Sequence, residues 1–447
     1  MKAGAEPSRG PAARVFRGRY SLLAVFVLAL TVRLLFVMLR DTAGLSEPPN
    51  PDSVAYRGLA RNLLAGTAYG SGSDAGCVAG TFFAPPLYPY FLAGIYALPG
   101  PFVQLALAAQ AILGALTAVF IAGMAGRLFG FKALLVAGFL AATQPYLVMR
   151  TAEFMTETLF VFLYSGSLLL CVMALTQTGD YACRRHRRDG SWEVAAAGIL
   201  MGAAMLCRPT PLVGLPVLTL TLALVERRRP LGARLFQAAL FALAAILVIG
   251  PWVLRIHSRC RAWVPIASAG EFTLYIGNAP GWADRILLGE ELDEGIDSID
   301  AYFPLLGQHA PGWFARGALA AIGKDPHRFA RLSLARAKLL FKVLPERRGP
   351  PLRYLLALWH YTILFPLGVA GLAYWLRRRQ SFAWLMLPFL VTMCLVHVFS
   401  LPNMRYRVVL VDAVLLVFLA GLLADPVAGA ASRLGAALSR SLGPVGR

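Results

Sequence analysis

Asp52 and Tyr56 lie one helical turn apart in the polar segment that follows the first long apolar run of this 447-residue sequence. Residues 52–64 have the pattern of a short helix that opens on an acidic residue. A carboxylate at this position can accept a proton from a hydroxyl nucleophile. It can equally cap the helix, as Ser53 can, and spacing alone leaves both interpretations open.

Glu153 and Glu157 form a second acidic feature, at the start of the fourth long apolar run. A spacing of four residues places both carboxylates on one face of a helix. For Glu153 the simpler interpretation is an ion pair with Arg150 in the headgroup region. Glu157 lies deeper in the apolar run, where an unpaired charge costs several kcal/mol, so it is the stronger candidate for function.

Several arginines stand in short turns where arginine is uncommon. Arg208 directly precedes a Pro-Thr-Pro sequence, and Arg405 and Arg407 flank a tyrosine. Guanidinium binds phosphate in a two-pronged geometry, so a phosphate is a natural partner for these groups. Alternatives remain: Asp412 can pair with Arg405 or Arg407, and Arg33 can extend from the first helix to the membrane surface.

The elements that position these residues are membrane helices. The sequence is 58% hydrophobic and 15% charged, which is more apolar surface than a soluble core of this length can bury. Its net charge of +20 comes from Lys and Arg clustered between apolar runs, which reports membrane topology and does not favour a nucleic-acid partner. We predict an all-α polytopic membrane protein with about ten spans, in a range of roughly nine to thirteen. The predicted spans cover residues 20–39, 102–125, 131–149, 154–175, 192–206, 211–225, 235–256, 352–376, 382–400 and 408–424.

Basic clusters fall between alternate spans and place both termini, 1–19 and 425–447, in the cytoplasm. This divides the membrane part into an N-terminal module, 20–256, and a C-terminal group of helices, 352–424. Two long outer loops, 40–84 and 257–351, face the periplasm or exterior, and loops of this size are usually functional. An aromatic stretch, 85–99, is too short to span and is predicted to lie in the interface. The location is therefore an inner or plasma membrane.

The second outer loop ends in a predicted amphipathic helix that Asp325 caps and Pro326 begins. Its cations, Lys338 among them, alternate with apolar residues, so the helix can rest on lipid phosphates. The halves of the chain show no internal repeat, which argues against the inverted-repeat plan of many transporters.

The six cysteines show no metal-ligand spacing, and neither do the histidines. No metal site is predicted. Cys77 and Cys260 both fall in segments placed outside, so one disulfide is allowed, although sequence does not establish their proximity. No glycine-rich phosphate loop occurs either, which leaves cytoplasmic nucleotide-sugar chemistry without support.

Taken in order, these features resemble the C-type glycosyltransferase superfamily, in particular family 39 protein mannosyltransferases and lipid A aminoarabinose transferases. The resemblance covers nearly the whole chain, and its motifs become specific through their order and side of the membrane. They are 52–64, Pro85-Pro86-Leu87-Tyr88-Pro89, Met155-Thr156-Glu157, Cys207-Arg208-Pro209, 274–281, Asp325-Pro326 with Lys338 beyond it, and Arg405-Tyr406-Arg407.

The resemblance implies a polyprenyl-phosphate-linked sugar as donor and an inverting displacement with Asp52 as the catalytic base. Glu157 is the second predicted catalytic residue. The other site predictions are donor-phosphate binding by Arg208, Arg405, Arg407 and Lys338, and substrate binding by Tyr56, Tyr88, Glu153 and Asn278. The sequence departs from these relatives at Ser53, where many have Glu, and at Ala84, where the aminoarabinose transferases have Lys.

The residue types agree with this implied reaction. Attack on an anomeric carbon needs a base for the hydroxyl proton and positive charge for the departing phosphate. Arg and Lys can neutralise a lipid monophosphate, so no cofactor or metal is obligatory, although a divalent ion between Asp52 and Glu157 is an alternative. Expected partners are membrane lipids, the lipid-linked sugar, and an acceptor glycan, lipid or protein. Two other functions stay open: a transporter or flippase of lipid-linked sugars, and an oligosaccharide ligase or polymerase with a diphosphate-linked donor.

Overall fold

The structure is a computed structural model that describes residues 11–39, 51–67, 69, 77–176, 190–225, 229–287, 303–342, 351–401 and 407–426. These residues form helices and no strand, which confirms the all-α class. The membrane-embedded helices before the second outer loop are α1 (Pro11–Leu39), α4 (Phe102–Phe129), α5 (Phe131–Thr143), α7 (Glu157–Thr176), α8 (Ser191–Cys207), α9 (Pro211–Val225) and α10 (Leu231–Cys260). Those after it are α16 (Pro351–Leu358), α17 (Phe365–Arg377), α18 (Ser381–Phe399) and α19 (Ala413–Pro426).

In the described part of the chain, six helices are long and apolar enough to cross a membrane. α16 and α17 form one of them, joined by a π-helical segment, Trp359–Leu364. The shorter apolar helices α5, α8, α9 and α19 fall at four other predicted spans. A second π-helical segment, Val408–Asp412, precedes α19.

Small residues allow these helices to approach closely. α8 packs along α10, and a Cβ added at Gly198 or Gly202 would overlap the backbone of Phe241 or Ala245 on α10. In lipid, where burial of apolar surface between helices gains little, such close packing is a main source of association. Gly130, with φ 91°, reverses the chain between α4 and α5.

The predicted span 131–149 is wrong as one continuous helix. α5 ends at Thr143, and a separate short helix, α6 (Pro145–Arg150), follows. Pro145 supplies no N–H and restricts the residue before it, so the helix stops there. The Gln144 side chain then accepts the N–H of Leu147 and caps α6.

The segments predicted as outer loops, together with the aromatic stretch 85–99, form short helices. The elements are α2 (Pro51–Leu64), α3 (Leu87–Tyr96), a 3₁₀ turn (Ala79–Phe82), α11 (Ala269–Asn278), α12 (Trp282–Leu287), α13 (Phe303–Leu306), α14 (Trp313–Lys324) and α15 (Pro326–Leu340). The 3₁₀ turn joins the two loops, because Ser268 N donates to Phe82 O at 3.0 Å and Ala79 N donates to His309 O at 2.8 Å. Cys77 and Cys260 form a disulfide with 5.1 Å between their Cα atoms.

Candidate active site

Glu157 and Arg208 form a buried ion pair where the first residue of α7 meets the end of α8. Arg208 Nη1 lies 3.1 Å from Glu157 Oε1, and it donates to Thr156 Oγ1 at 3.2 Å. The Glu157 side chain is 1% exposed and that of Arg208 is 10% exposed. A charge pair this deeply buried is costly unless its geometry is well satisfied, so it is a specific feature of this site.

Local sequence explains the position of both partners. Glu157 is the first residue of α7, where the positive end of the helix dipole favours a carboxylate. Arg208 lies in extended backbone between α8 and α9, where Pro209 and Pro211 interrupt the helix. The Cys207 thiol anchors this break by donating to Thr156 O at 3.5 Å.

Helix α2, which carries Asp52, lies near the turn that precedes this pair. α2 packs against α3, where the rings of Tyr56 and Tyr88 meet edge to face with centroids 5.3 Å apart. The guanidinium of Arg57 lies 5.0 Å from the ring centroid of Phe154, just before Glu157. α2 begins at Pro51, so Asp52 stands half-buried in the first turn and not at the capping position before the helix.

Tyr88 is fully buried beside this cluster. Burial is the main cause that raises the pKa of its phenol well above the ordinary value, and the nearby Cys207 and Glu157 raise it further. The phenol therefore stays protonated. Tyr88, predicted to bind substrate, is enclosed by protein in this structure, whereas Tyr56 is half-exposed.

Glu153 forms an ion pair with Arg150, as the simpler of its two interpretations predicted. Its carboxylate contacts Arg150 Nη1, and the Arg150 guanidinium also lies 4.6 Å from the ring centroid of Tyr146. Both side chains are largely buried. The pair closes the turn between α6 and α7.

Arg407 lies in a different cluster, fully buried near the second π-helical segment. Its Nε approaches Asp412 at 3.4 Å, its Nη1 donates to Leu340 O at 2.8 Å, and its guanidinium covers the ring of Phe365 at 3.8 Å. Asp412 also contacts His360 Nε2 at 2.8 Å. The alternative pairing of Asp412 with Arg407 is therefore the one observed. Arg405 lies outside the described residues.

Asn278 bonds to backbone groups of α11 and α18. Its amide donates to Leu274 O at 2.8 Å and to Phe399 O at 2.9 Å. The buried Arg336 of α15 contacts Asn278 Oδ1 at 3.4 Å and binds carbonyl oxygens at the ends of α11 and α18. Burial lowers the pKa of Arg336 to about 10, so its charge persists. Lys338, two residues on, is exposed.

Arg33 does not extend to the membrane surface. It is fully buried in α1 and donates to Ala29 O at 3.1 Å and to Ala142 O at 3.2 Å. The break before α6 leaves carbonyl groups at the end of α5 without helical partners, and the Arg33 charge satisfies them. Arg33 also lines a small cavity of about 10 Å³ with Arg150 and Glu157.

Sequence reasoning missed two residues near the pair. Gln110 of α4 is completely buried and hydrogen-bonds to the turn before Glu157. His397 of α18 is buried near Arg208. Each is a polar residue inside an apolar span, and that is the sequence signal by which both could have been identified. Within the described ranges, no group of three His, Cys, Asp or Glu side chains could hold a metal ion.

Comparison with known proteins places this site in a recognised fold. Residues 84–254 match the family described as dolichyl-phosphate-mannose-protein mannosyltransferase. The oligosaccharyltransferase AglB of Archaeoglobus fulgidus, solved with an inhibitory peptide and a dolichol-phosphate, superposes with a TM-score of 0.58 at 16% identity, covering 96% of this chain and 53% of AglB. An apo structure of an oligosaccharyltransferase from the same organism gives a TM-score of 0.59 at 17% identity, covering 95% of this chain and 52% of that protein.

ArnT of Cupriavidus metallidurans, solved with undecaprenyl phosphate, is more distant, with a TM-score of 0.39 at 17% identity and coverage of 94% of this chain and 80% of ArnT. This chain spans about half the length of AglB. No functionally curated protein matches it by sequence.

The fold is thus shared with the membrane oligosaccharyltransferase AglB, and the family match adds a sequence likeness over residues 84–254. More specifically, the segment from the end of the first outer loop through most of α10 carries the sequence pattern of the mannosyltransferase family. The Glu157–Arg208 pair lies inside that segment.

Proposed function

We propose that this protein transfers a sugar from a polyprenyl-phosphate carrier to an acceptor hydroxyl on the non-cytoplasmic side of the membrane. The observation that carries the proposal is the buried Glu157–Arg208 pair, together with the contact of α2, the helix that bears Asp52, with Phe154 in the turn before Glu157. The fold and the mannosyltransferase sequence pattern support the same class.

In the proposed reaction the acceptor oxygen attacks the anomeric carbon while Asp52 takes its proton. The bond between that carbon and the phosphate oxygen breaks, and the lipid phosphate leaves with the electron pair. Arg208 stabilises the phosphate because its guanidinium is held by Glu157 and Thr156 before any ligand arrives. Because a fixed cation stands beside the anionic leaving group, no metal is obligatory in this proposal, and a divalent ion between Asp52 and Glu157 stays the alternative.

The contacts of the other cations support different roles for them in this proposal. Arg407 is already engaged by Asp412 and Leu340, so its role is to hold α15 against α19 and its preceding π segment. Lys338 remains exposed on α15, where it can meet lipid headgroups. Arg208 is therefore the principal donor-phosphate group in this proposal.

The direct test is product formation by the purified protein in detergent. Given polyprenyl-phosphate-linked hexoses or pentoses and candidate acceptors, the enzyme is expected to release polyprenyl phosphate in step with glycosylated acceptor. A flippase would relocate the lipid in vesicles without releasing lipid phosphate. Turnover only with a diphosphate-linked donor would support the ligase or polymerase alternative instead.

The proposed side of the membrane has its own test. The Cys77–Cys260 disulfide supports an outer position for both loops, because disulfides persist in oxidising compartments. Lys324→Cys, exposed between α14 and α15, is expected to react with an impermeant thiol reagent in intact cells. Arg377→Cys, exposed at the end of α17, is the matched control and is expected to react only after lysis. The reverse pattern would contradict the proposed topology.

A further inference from the structure

Gln110 is a fully buried amide near the Phe102 end of α4, and its side chain makes three hydrogen bonds. Its Nε2 donates to the carbonyl oxygens of Thr151 and Glu153, each at 2.9 Å. Its Oε1 accepts from the Tyr88 hydroxyl at 2.7 Å. A polar group inside a membrane protein is costly unless it is paired, so such a complete set of bonds is a specific arrangement.

The bonding partners fix which way the amide points. Two carbonyl oxygens accept hydrogen bonds and never donate them, so the NH₂ group of Gln110 must face Thr151 and Glu153. Gln110 Oε1 then faces Tyr88, and the phenol must donate to it. The raised pKa of Tyr88, caused first by burial and then by Cys207 and Glu157, keeps that proton in place.

The two carbonyl groups belong to the turn between α6 and α7. Glu153 O also accepts the N–H of Met155 at 2.9 Å, which closes the turn just before Thr156. Thr156 and Glu157 are the two residues that Arg208 Nη1 contacts. The position of this turn therefore sets the position of the Arg208 guanidinium.

We infer that Gln110 is a positioning residue for the donor-phosphate grip of Arg208: it ties the 151–156 turn to α4 and, through Tyr88, to α3. The inference rests on the proposed function for the identity of the ligand. Gln110 itself touches no substrate, and its effect passes through Thr156 and Glu157.

Gln110→Glu tests this most directly. The substitution preserves shape and the acceptor for Tyr88, but it removes both N–H donors to the turn. Two lost hydrogen bonds to carbonyl groups that stay buried predict a decrease of about 10- to 100-fold in kcat/KM for the donor, expressed mainly as a raised donor KM. Acceptor KM is expected to stay within about twofold of the wild-type value, because Arg208 binds the donor phosphate and not the acceptor in this proposal.

Two further variants separate positioning from general loss of structure. Tyr88→Phe leaves both turn bonds intact and is expected to cost less than about fivefold, the scale of one ordinary hydrogen bond. Gln104→Glu places the same change on the exposed face of α4 and is expected to leave kinetics unchanged. A purely structural role for Gln110 would reduce folded protein and kcat while donor KM stayed constant. Should Gln110→Glu fail to fold, the uncharged Gln110→Met is expected to give the same donor defect.

Binding of polyprenyl monophosphate gives a readout that needs no turnover. Gln110→Glu is expected to weaken this binding by about tenfold, and to add little in an Arg208→Gln background, because both changes act on one contact. A Gln110→Glu protein that binds the lipid phosphate as tightly as wild type would overturn the inference. If the wild type transfers no sugar, the proposed function fails, and this binding measurement still decides the role of Gln110.

Discussion

Asp52→Asn is expected to lower turnover by about 10²- to 10⁴-fold, the usual contribution of a positioned general base. Asn retains the size of Asp and its ability to hydrogen-bond in the first turn of α2, but it cannot take the acceptor proton. Because Asp52 lies within that turn, the loss of its charge also removes a helix-dipole contribution of about 0.3–1 kcal/mol. Initial rates beside thermal unfolding on the same preparation measure both effects.

Asp52→Ala and Ser53→Ala complete the comparison. If Asp52 acted only through helix stability, Asn would remain nearly as active as Asp, and Ala would lose stability and activity together. Ser53→Ala removes the other residue with capping ability and is expected to leave turnover close to wild type. An Asp52→Asn enzyme with more than about half of wild-type turnover would eliminate Asp52 as the base.

Arg208→Gln is expected to weaken donor use by about 1.5–3 kcal/mol, the scale of a hydrogen bond to a charged group. Arg208→Lys should restore part of this loss, because an ammonium keeps the charge and lacks the planar fork that Glu157 and Thr156 hold. Steady-state kinetics with varied donor, together with binding of polyprenyl monophosphate, measure the loss.

Arg407 and Arg331 supply the controls for Arg208. Arg407→Gln removes a fully buried charge from its bond with Asp412 and is expected to lower thermal stability with donor KM near wild type. Arg331→Gln, exposed on α15, is expected to change neither quantity. Loss of donor binding in Arg407→Gln but not in Arg208→Gln would move the phosphate site to the cluster around Asp412.

Sequence alone determined the membrane architecture of this protein and part of its site. A bilayer requires long apolar helices and restricts where charge can stand, so the span pattern, the basic turns and the exceptional position of Glu157 are all visible in local sequence. Arg208 was identifiable for the same reason, as a cation between two short apolar runs. The helix break at Gln144-Pro145 also has a local sequence signal, the proline, but the continuous apolar run around it led to the prediction of one span.

Only the tertiary structure decided which polar groups meet. Arg33 sits under carbonyl groups more than 100 positions away, and Gln110 joins Tyr88 to a turn 41 and 43 residues further on. Hydrophobic periodicity reports which face of a helix is buried, but it carries no information about the partner across the interface. For the same reason the motifs did not show that Asn278 bonds to the end of α18 and to Arg336 of α15, or that Arg407 bonds to Asp412 and to the end of α15. Their partners come from helices distant in the chain, and packing of those helices is what brings each pair within hydrogen-bond reach.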